Sequence, residues 1–202
     1  MSIGSGVLRI VRRAQGKGYS MKTGMGSRNR LSGGTYELVV TALITALVFA
    51  GTSFFKIPTI ATQGYVHLGD AILICGVMIL GRRNGTAAAA LGSGLADVAG
   101  GYAYWAPWTF LIKGVMAFVF ASIAETGEPG ETPAFARRLL AYAVSGALMV
   151  AGYYLAASVM YGSFLLPLSS VPWNLAQAVS AAVVGEVFVR SGGSAYVKTR
   201  LR

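Results

Sequence analysis

The chain has few of the residues that enzymes use for catalysis and metal binding. It contains one histidine and one cysteine, and only 12% of its 202 residues are charged. The single cysteine, Cys75, cannot form an intramolecular disulfide, and no CxxC or Cys/His metal spacing is present. No HExxH or GxSxG motif occurs. These absences argue against an enzyme, and they predict no cofactor and no metal.

A phosphate-binding loop is missing as well. No GxxxxGK[ST] motif occurs, and the nearest cluster of glycine and lysine is Gly16-Lys17-Gly18. The chain is therefore not expected to hydrolyse ATP. Inverted repeats of the kind found in secondary transporters are not evident either, which disfavours self-contained alternating access.

Apolar residues dominate what is present. They make up 54% of the chain, and the charged share is far below the quarter or so that is usual in soluble domains. The net charge of +10 comes from basic residues that lie between apolar runs, rather than on one polar face as in a nucleic-acid-binding domain. The composition predicts an all-α integral membrane protein whose partner is the lipid bilayer and not nucleic acid.

Hydropathy and turn signals divide the chain into three parts. Residues 1–35 are predicted to be a flexible, basic, Gly/Ser-rich tail, residues 36–189 a membrane domain, and residues 190–202 a second basic tail. The first apolar run is alternatively a secretory signal, although its uncharged stretch exceeds a usual signal core. Six membrane helices are predicted, at about 36–55, 66–81, 85–101, 107–124, 139–161 and 173–189.

The basic residues give an independent test of a six-helix bundle. An even number of spans places both termini on one side of the membrane. With this topology, 15 of the 17 Lys and Arg residues fall on that side, whereas Lys56 lies on the other and Lys113 within a helix. By the positive-inside rule, both termini are predicted to be cytoplasmic.

Polar residues within the predicted spans concentrate in the outer third of the membrane. A charged group at this depth costs at least about 2.5 kcal/mol unless it is paired or solvated. A water-accessible pocket open to the exterior is one explanation. The alternative is structural: Asp97 and Lys113 neutralise each other, and the amides hydrogen-bond between helices. The residues concerned are Asp70, Asp97, Lys113, Asn174 and Gln177.

Aromatic residues gather at the same outer end, where they either form an interfacial belt or stack on a flat heteroaromatic solute. The connection from Lys56 to Val66, followed by His67, is a candidate lid. The aromatic residues are Tyr102, Tyr104, Trp105, Trp108, Tyr161 and Trp173.

The first helix carries an AxxxAxxxA ridge, formed by Ala42, Ala46 and Ala50. Small residues four apart let another helix approach closely, and by itself this pattern favours packing within the bundle.

Several stretches resemble one transporter family. The most specific is GRRNGTAAAALGSGLADVAGGYAYWAPWTFLIKG at residues 81–114, with HLGDA before the second helix and PWNLAQ at the start of the sixth. From residue 36 to residue 189 the chain is similar to an S component, the substrate-binding membrane subunit of an energy-coupling-factor (ECF) vitamin transporter, of the group that carries riboflavin, pyridoxine or thiamine precursors. The basic N-terminal tail departs from the family pattern.

The resemblance implies a mechanism and a set of residues. Such a subunit captures a water-soluble vitamin or precursor from outside a bacterial or archaeal cell membrane, and topples against a transmembrane coupling subunit driven by two cytoplasmic ATPases. It implies that Ala42, Ala46 and Ala50 dock on the coupling subunit. Asp70 and Asp97 are assigned to an ion pair or to the pocket. The implied ligand contacts are Gln63, Trp108, Lys113, Tyr153, Asn174 and Gln177.

Two other classes stay open. One is a membrane assembly or interaction protein without a small-molecule ligand, in which the outer polar cluster is structural. The other is an autonomous facilitator or channel, which would pass solute without any ATPase.

Overall fold

A computed structural model describes residues 33–54, 56–59, 64–67, 69–125 and 133–193. Apart from residues 33–35 and 190–193, the two predicted basic tails lie outside these ranges, and so does Gln63. Helices make up most of the described chain. They are α1 (Gly33–Phe54), α2 (Gly69–Ala99), α3 (Ala106–Ala124), α4 (Phe135–Tyr161) and α5 (Val171–Arg190), with a 3₁₀ helix at Leu166–Ser170.

Helix α1 is apolar along most of its length, and two of its threonines hydrogen-bond to the backbone of the same helix. The hydroxyls of Thr41 and Thr45 donate to the carbonyls four residues earlier, at 2.7 and 2.8 Å. Such internal bonds are needed where no water is present to replace them. Val48 and Thr52, which lie on the same face as Thr41 and Thr45, are fully buried, so this face of α1 packs on the bundle.

The fold is helical, as predicted, and a short β-hairpin joins α1 to α2. Strand β1 (Lys56–Thr59) pairs antiparallel with β2 (Gly64–His67), with Lys56 opposite His67 and Thr59 opposite Gly64. The local sequence explains the hairpin, because Pro58 cannot continue a helix and the β-branched residues of both strands favour extended backbone. The second helix therefore begins at Gly69, after the hairpin.

Helix α2 folds back on itself at Gly81, which is non-helical with φ 74° and ψ −174°. A Cβ on Gly85 would lie 2.8 Å from the Cα of Val77. In a continuous helix these two residues would be about 12 Å apart along the axis, so the two arms of α2 (residues 69–80 and 82–99) pack together. The described residues thus contain six helical segments in addition to the 3₁₀ helix.

Three helices in the described part of the chain are individually long and apolar enough to cross a membrane. They are Gly34–Phe54, Ala106–Ala124 and Phe135–Tyr161. Their outward faces carry exposed leucine, valine and phenylalanine side chains, and a shared core lies between the helices. The core includes Val48, Leu73, Ile74, Met116, Phe120, Met149 and Ala181.

Hydrogen bonds and ion pairs of charged residues connect the helices at one end of the bundle. Glu186 on α5 accepts hydrogen bonds from Arg138 at the start of α4, at 2.7 and 2.9 Å, and from Arg190 at 3.0 Å. Glu125, after α3, accepts a 2.6 Å bond from the backbone N–H of Arg82 beside the Gly81 break. Basic residues of three helices therefore share this end.

Glycine is required where α1 crosses the second arm of α2. A Cβ on Gly92 would lie 2.8 Å from the carbonyl oxygen of Thr45 and 2.9 Å from the Cβ of Val48. We expect Gly92→Ala to lower the free energy of unfolding by about 1–3 kcal/mol, because backbone must move to admit the methyl group. Thermal unfolding in detergent measures the change.

The matched control is Gly114→Ala in α3. A Cβ there would meet only the Cβ of Ala90 at 3.5 Å, an ordinary contact. This variant should unfold at or above the wild-type temperature. Equal destabilisation by the two substitutions would contradict close packing of α1 at Gly92.

Candidate functional site

A buried ion pair lies at the end of the bundle opposite Glu186. The Nζ atom of Lys113, seven residues into α3, is 2.6 and 2.7 Å from the two carboxylate oxygens of Asp70 at the start of α2. The two side chains are 0% and 1% exposed. Desolvating two charges is costly and is offset only when each finds its partner with good geometry. The pair therefore joins α2 to α3 without leaving a net charge inside.

Gln177 on α5 completes this network. Its Nε2 donates to the Oδ2 of Asp70 at 2.7 Å, and its Oε1 accepts from the backbone N–H of His67 at 3.0 Å. The side chain is buried. The ion pair and the amide together thus connect α2, α3 and α5 with the end of strand β2.

Aromatic side chains form one wall of the network. The Lys113 Nζ lies 5.2 Å from the ring centroid of Tyr153, within the range of a cation–π interaction. The Tyr153 hydroxyl donates to Thr109 at 3.3 Å, and the Tyr153 ring lies 6.0 Å from that of Trp105. The site therefore combines a buried ion pair, hydroxyl groups, one amide and two aromatic rings within hydrogen-bonding or ring-contact distance of one another.

Three of the six predicted ligand residues, Lys113, Tyr153 and Gln177, belong to this cluster. Trp108 and Asn174 are half-buried near the starts of α3 and α5, and Gln63 lies outside the described residues. The sequence offered Asp97 as the ion-pair partner of Lys113, whereas the structure pairs Lys113 with Asp70. Asp97 is buried in the second arm of α2.

The sequence interpretation missed Thr109 and the backbone N–H of His67. Thr109 was detectable, because Trp105, Thr109 and Lys113 are four residues apart and residues at this spacing share one face of a helix. The His67 contact was not detectable, since it depends on where the hairpin meets α5, 110 residues later in the chain.

A separate apolar groove of about 410 Å³ runs between α4 and the segment that leads into α5. Its one hydrogen-bonding side chain is Tyr154, whose hydroxyl donates to the carbonyl of Phe164 at 3.1 Å. The groove thus lacks free polar groups that would select a solute. It is lined by Ala147, Val150, Ala151, Tyr154, Leu168, Val171 and Leu175.

The alanine ridge of α1 lies mainly on the surface. Ala42 and Ala46 are exposed and Ala50 is half-buried, whereas Val48 and Thr52 make the internal contacts of the helix. Packing within the bundle therefore does not account for Ala42 and Ala46. Their face is available to another helix.

Comparisons with known proteins agree with this fold. Residues 33–193 match the family model described as ECF-type riboflavin transporter, S component. A Pyrococcus woesei protein described as "Uncharacterized protein in gap 3'region" is 33% identical over 149 residues, covering 72% of this chain and 90% of that protein.

The fold is also similar to that in a structure described as "Structure and mechanism of the S component of a bacterial ECF transporter". The TM-score is 0.64 and the identity 13%, over 79% of this chain and 96% of that one. The resemblance seen in the sequence is thereby confirmed. The chain belongs to the ECF-type riboflavin transporter S component family, whose members are membrane-embedded substrate-binding subunits of transporters and not enzymes.

Proposed function

We propose that this subunit captures a water-soluble B vitamin or vitamin precursor from outside the cell, with riboflavin as the first candidate. The observation that carries the proposal is the cluster of Lys113, Asp70, Gln177, Tyr153 and Trp105, which combines hydrogen-bonding groups with aromatic rings at one end of the bundle. A site with convergent polar groups among aromatic side chains suits a flat, polar heteroaromatic ligand. The family description names riboflavin.

The proposed contacts extend from the buried cluster toward the outside. Trp108 and Asn174 are half-buried, so a ligand can reach them before it reaches Lys113, Tyr153 and Gln177. The indole would stack on the ligand ring, and the amide of Asn174 would bind its polar edge. Gln63, in the connection between the two strands, is proposed to cover the ligand from above.

The proposed topology is a multi-pass protein of the cell membrane with six spans and cytoplasmic termini. Its support is the shared position of Arg82, Arg138, Glu125, Glu186 and Arg190 at one end of the bundle, while the polar cluster lies at the other. Basic residues favour the cytoplasmic side. The two basic tails are proposed to lie on this same side.

Uptake is proposed to require separate subunits. The exposed Ala42 and Ala46, with Ala50, would dock on a transmembrane coupling subunit, since small residues let two helices approach closely. Two cytoplasmic ATPases would drive the cycle, which is consistent with the lack of a phosphate-binding loop in this sequence.

A fluorescence titration tests ligand capture. The protein has three tryptophans, of which Trp105 and Trp108 lie at the proposed site. We expect saturable quenching when riboflavin is added to purified, ligand-stripped protein. Asn174→Ala should weaken binding by about tenfold, because one hydrogen bond to the ligand is lost.

The control is Leu155→Ala, which trims an exposed apolar side chain on α4 and should leave the affinity unchanged. If riboflavin does not quench the tryptophan fluorescence but another B vitamin or precursor does, the proposed binding site stands and that compound becomes the proposed substrate. If no B vitamin or precursor binds the folded protein, the result favours an assembly protein without a small-molecule ligand. The buried ion pair of Lys113 and Asp70 also suits a purely structural role. Solute flux in liposomes without ATPases would instead favour a facilitator.

A further inference from the structure

The groove between α4 and the segment that leads into α5 belongs to a long stretch of chain without charge. No Asp, Glu, Lys, Arg or His occurs between Arg138 and Glu186. The one hydrogen-bonding side chain that lines the groove, Tyr154, already donates to the carbonyl of Phe164. A charged or strongly polar occupant would therefore lose its water without gaining a partner. The groove favours an uncharged, apolar occupant.

Residue size explains why there is space at this place. Ala147 and Ala151 are four residues apart and share one face of α4. Their small side chains leave room opposite the larger ones of Leu168, Val171 and Leu175. The resulting volume of about 410 Å³ falls within the range of ligand-binding sites, about 300–1,000 Å³.

The groove is too small for a partner helix. Its α4 side extends from Ala147 to Tyr154, which is about 10 Å along the helix axis. Over that length, a helix of about 10–12 Å diameter would need at least about twice the available volume. A single hydrocarbon chain has a much smaller cross-section and fits the same space.

The position of the groove along α4 corresponds to the depth of lipid acyl chains. Helix α4 has 27 residues and is about 40 Å long, so it extends past both boundaries of a hydrocarbon core of about 30 Å. Tyr154 lies seven residues before the end of α4 at Tyr161, or about 10 Å below it. The groove therefore begins below one boundary of the hydrocarbon core and reaches toward the middle of the membrane.

An apolar surface continues from the groove onto the connection after α4. Phe164 and Leu165 are 70% and 80% exposed. Their backbone is held in place, because the Tyr154 hydroxyl donates to the Phe164 carbonyl and the Ser163 Oγ accepts from the N–H of Leu165 at 3.3 Å. Contiguous exposed apolar side chains of this kind mark a surface that contacts membrane or protein. The groove thus opens onto a surface suited to lipid.

We propose that this groove binds one acyl chain of a membrane lipid, in the leaflet at the end of the bundle that holds the polar cluster. Tyr153 of that cluster is next to Tyr154 on α4, which places both sites at the same end. The groove recognises the hydrocarbon chain and not the headgroup, since its lining carries no charge. The inference uses the membrane-embedded class of the family and does not depend on vitamin binding.

Photolabelling tests the site with a phosphatidylcholine that carries a diazirine midway along one acyl chain. The full chain is purified in a sterol-based detergent, which has no alkyl chain to compete, and the lipid is titrated before irradiation. Mass spectrometry then locates the label. We expect saturable labelling of peptides that contain residues 147–154 and 168–175. On the exposed face of α5 around Val183, labelling should only rise in proportion to the lipid.

Ala151→Phe should raise the lipid concentration for half-saturation by about tenfold, the effect of excluding about two CH₂ groups from the groove. The matched control is Ala143→Phe, which adds the same ring at an exposed alanine of α4 that does not line the groove. It should label as the wild type does. Phosphatidylglycerol with the same labelled chain should label the groove equally well, because the chain is what binds.

Ala147→Phe fills the other end of the α4 side and provides a second variant in case Ala151→Phe does not fold. Saturable labelling that neither folded variant weakens would overturn the proposal, and so would saturation with phosphatidylglycerol alone, which would place recognition in the headgroup. Labelling in proportion to lipid throughout the wild type would overturn it as well. If the groove peptides then lose their label when a coupling subunit is added, a protein partner covers the groove instead.

Discussion

Replacing Lys113 with methionine is expected to lower the free energy of unfolding by about 3–5 kcal/mol, the usual cost of removing one partner of a buried ion pair. Lys113 and Asp70 are almost completely buried, and the ammonium lies within 2.7 Å of both carboxylate oxygens. Without it, the Asp70 carboxylate keeps only the amide of Gln177 among the contacts described above. Thermal and denaturant unfolding of the purified protein in detergent measures the loss.

The double variant Lys113→Met with Asp70→Asn is the control for this interpretation. It removes both charges, and an asparagine at position 70 can still hydrogen-bond to Gln177. We expect it to recover about half of the lost stability or more, because the penalty comes chiefly from an unpaired charge. Additive losses in the double variant would show that Lys113 stabilises the fold by packing and not by pairing with Asp70.

Introducing tryptophan at Ala46 is expected to reduce vitamin uptake by about tenfold or more, corresponding to a loss of roughly 1.4 kcal/mol of docking free energy. Ala46 is exposed on α1, next to Ala42 on the same ridge, and a bulky ring would hold a partner helix away. The measurement is ATP-dependent uptake in proteoliposomes that contain the subunit, a coupling subunit and two ATPases. Ligand affinity of the isolated variant should stay at the wild-type value.

Leu155→Trp is the matched control, because it adds the same side chain at an exposed apolar position on α4. Uptake should be unaffected there if docking is confined to the α1 ridge. Equal loss of uptake in both variants would point to a general effect of surface tryptophan. Full uptake in Ala46→Trp would remove the ridge from the docking interface.

The partner of Lys113 shows where interpretation of the sequence reached its limit. Distances from helix ends place Asp97 and Lys113 at similar depth, and this gives their position along the membrane normal. It says nothing about the direction in which each side chain leaves its helix. The tertiary structure turns Lys113 toward Asp70, which lies 43 residues away and follows the hairpin.

The hairpin shows the same limit at the level of local structure. For the connection from Lys56 to Val66 the sequence predicts a candidate lid and no strands, although Pro58 and the β-branched residues around it argue against a helix. Pairing of Lys56 with His67 and of Thr59 with Gly64 depends on two short segments finding each other. Strands of four residues have little stability alone, and here the contact of His67 with Gln177 ties β2 to the bundle.

The sequence by itself determined the membrane class, the predominantly helical fold and the family. These depend on apolar runs, on small and basic residues at fixed spacings, and on motifs such as TFLIKG that are local in the chain. Which side chains meet was decided only by the tertiary structure. The contacts of Asp70 with Lys113 and Gln177 span 43 and 107 residues, and their geometry depends on the rotation and crossing of packed helices, which periodicity along one segment does not record.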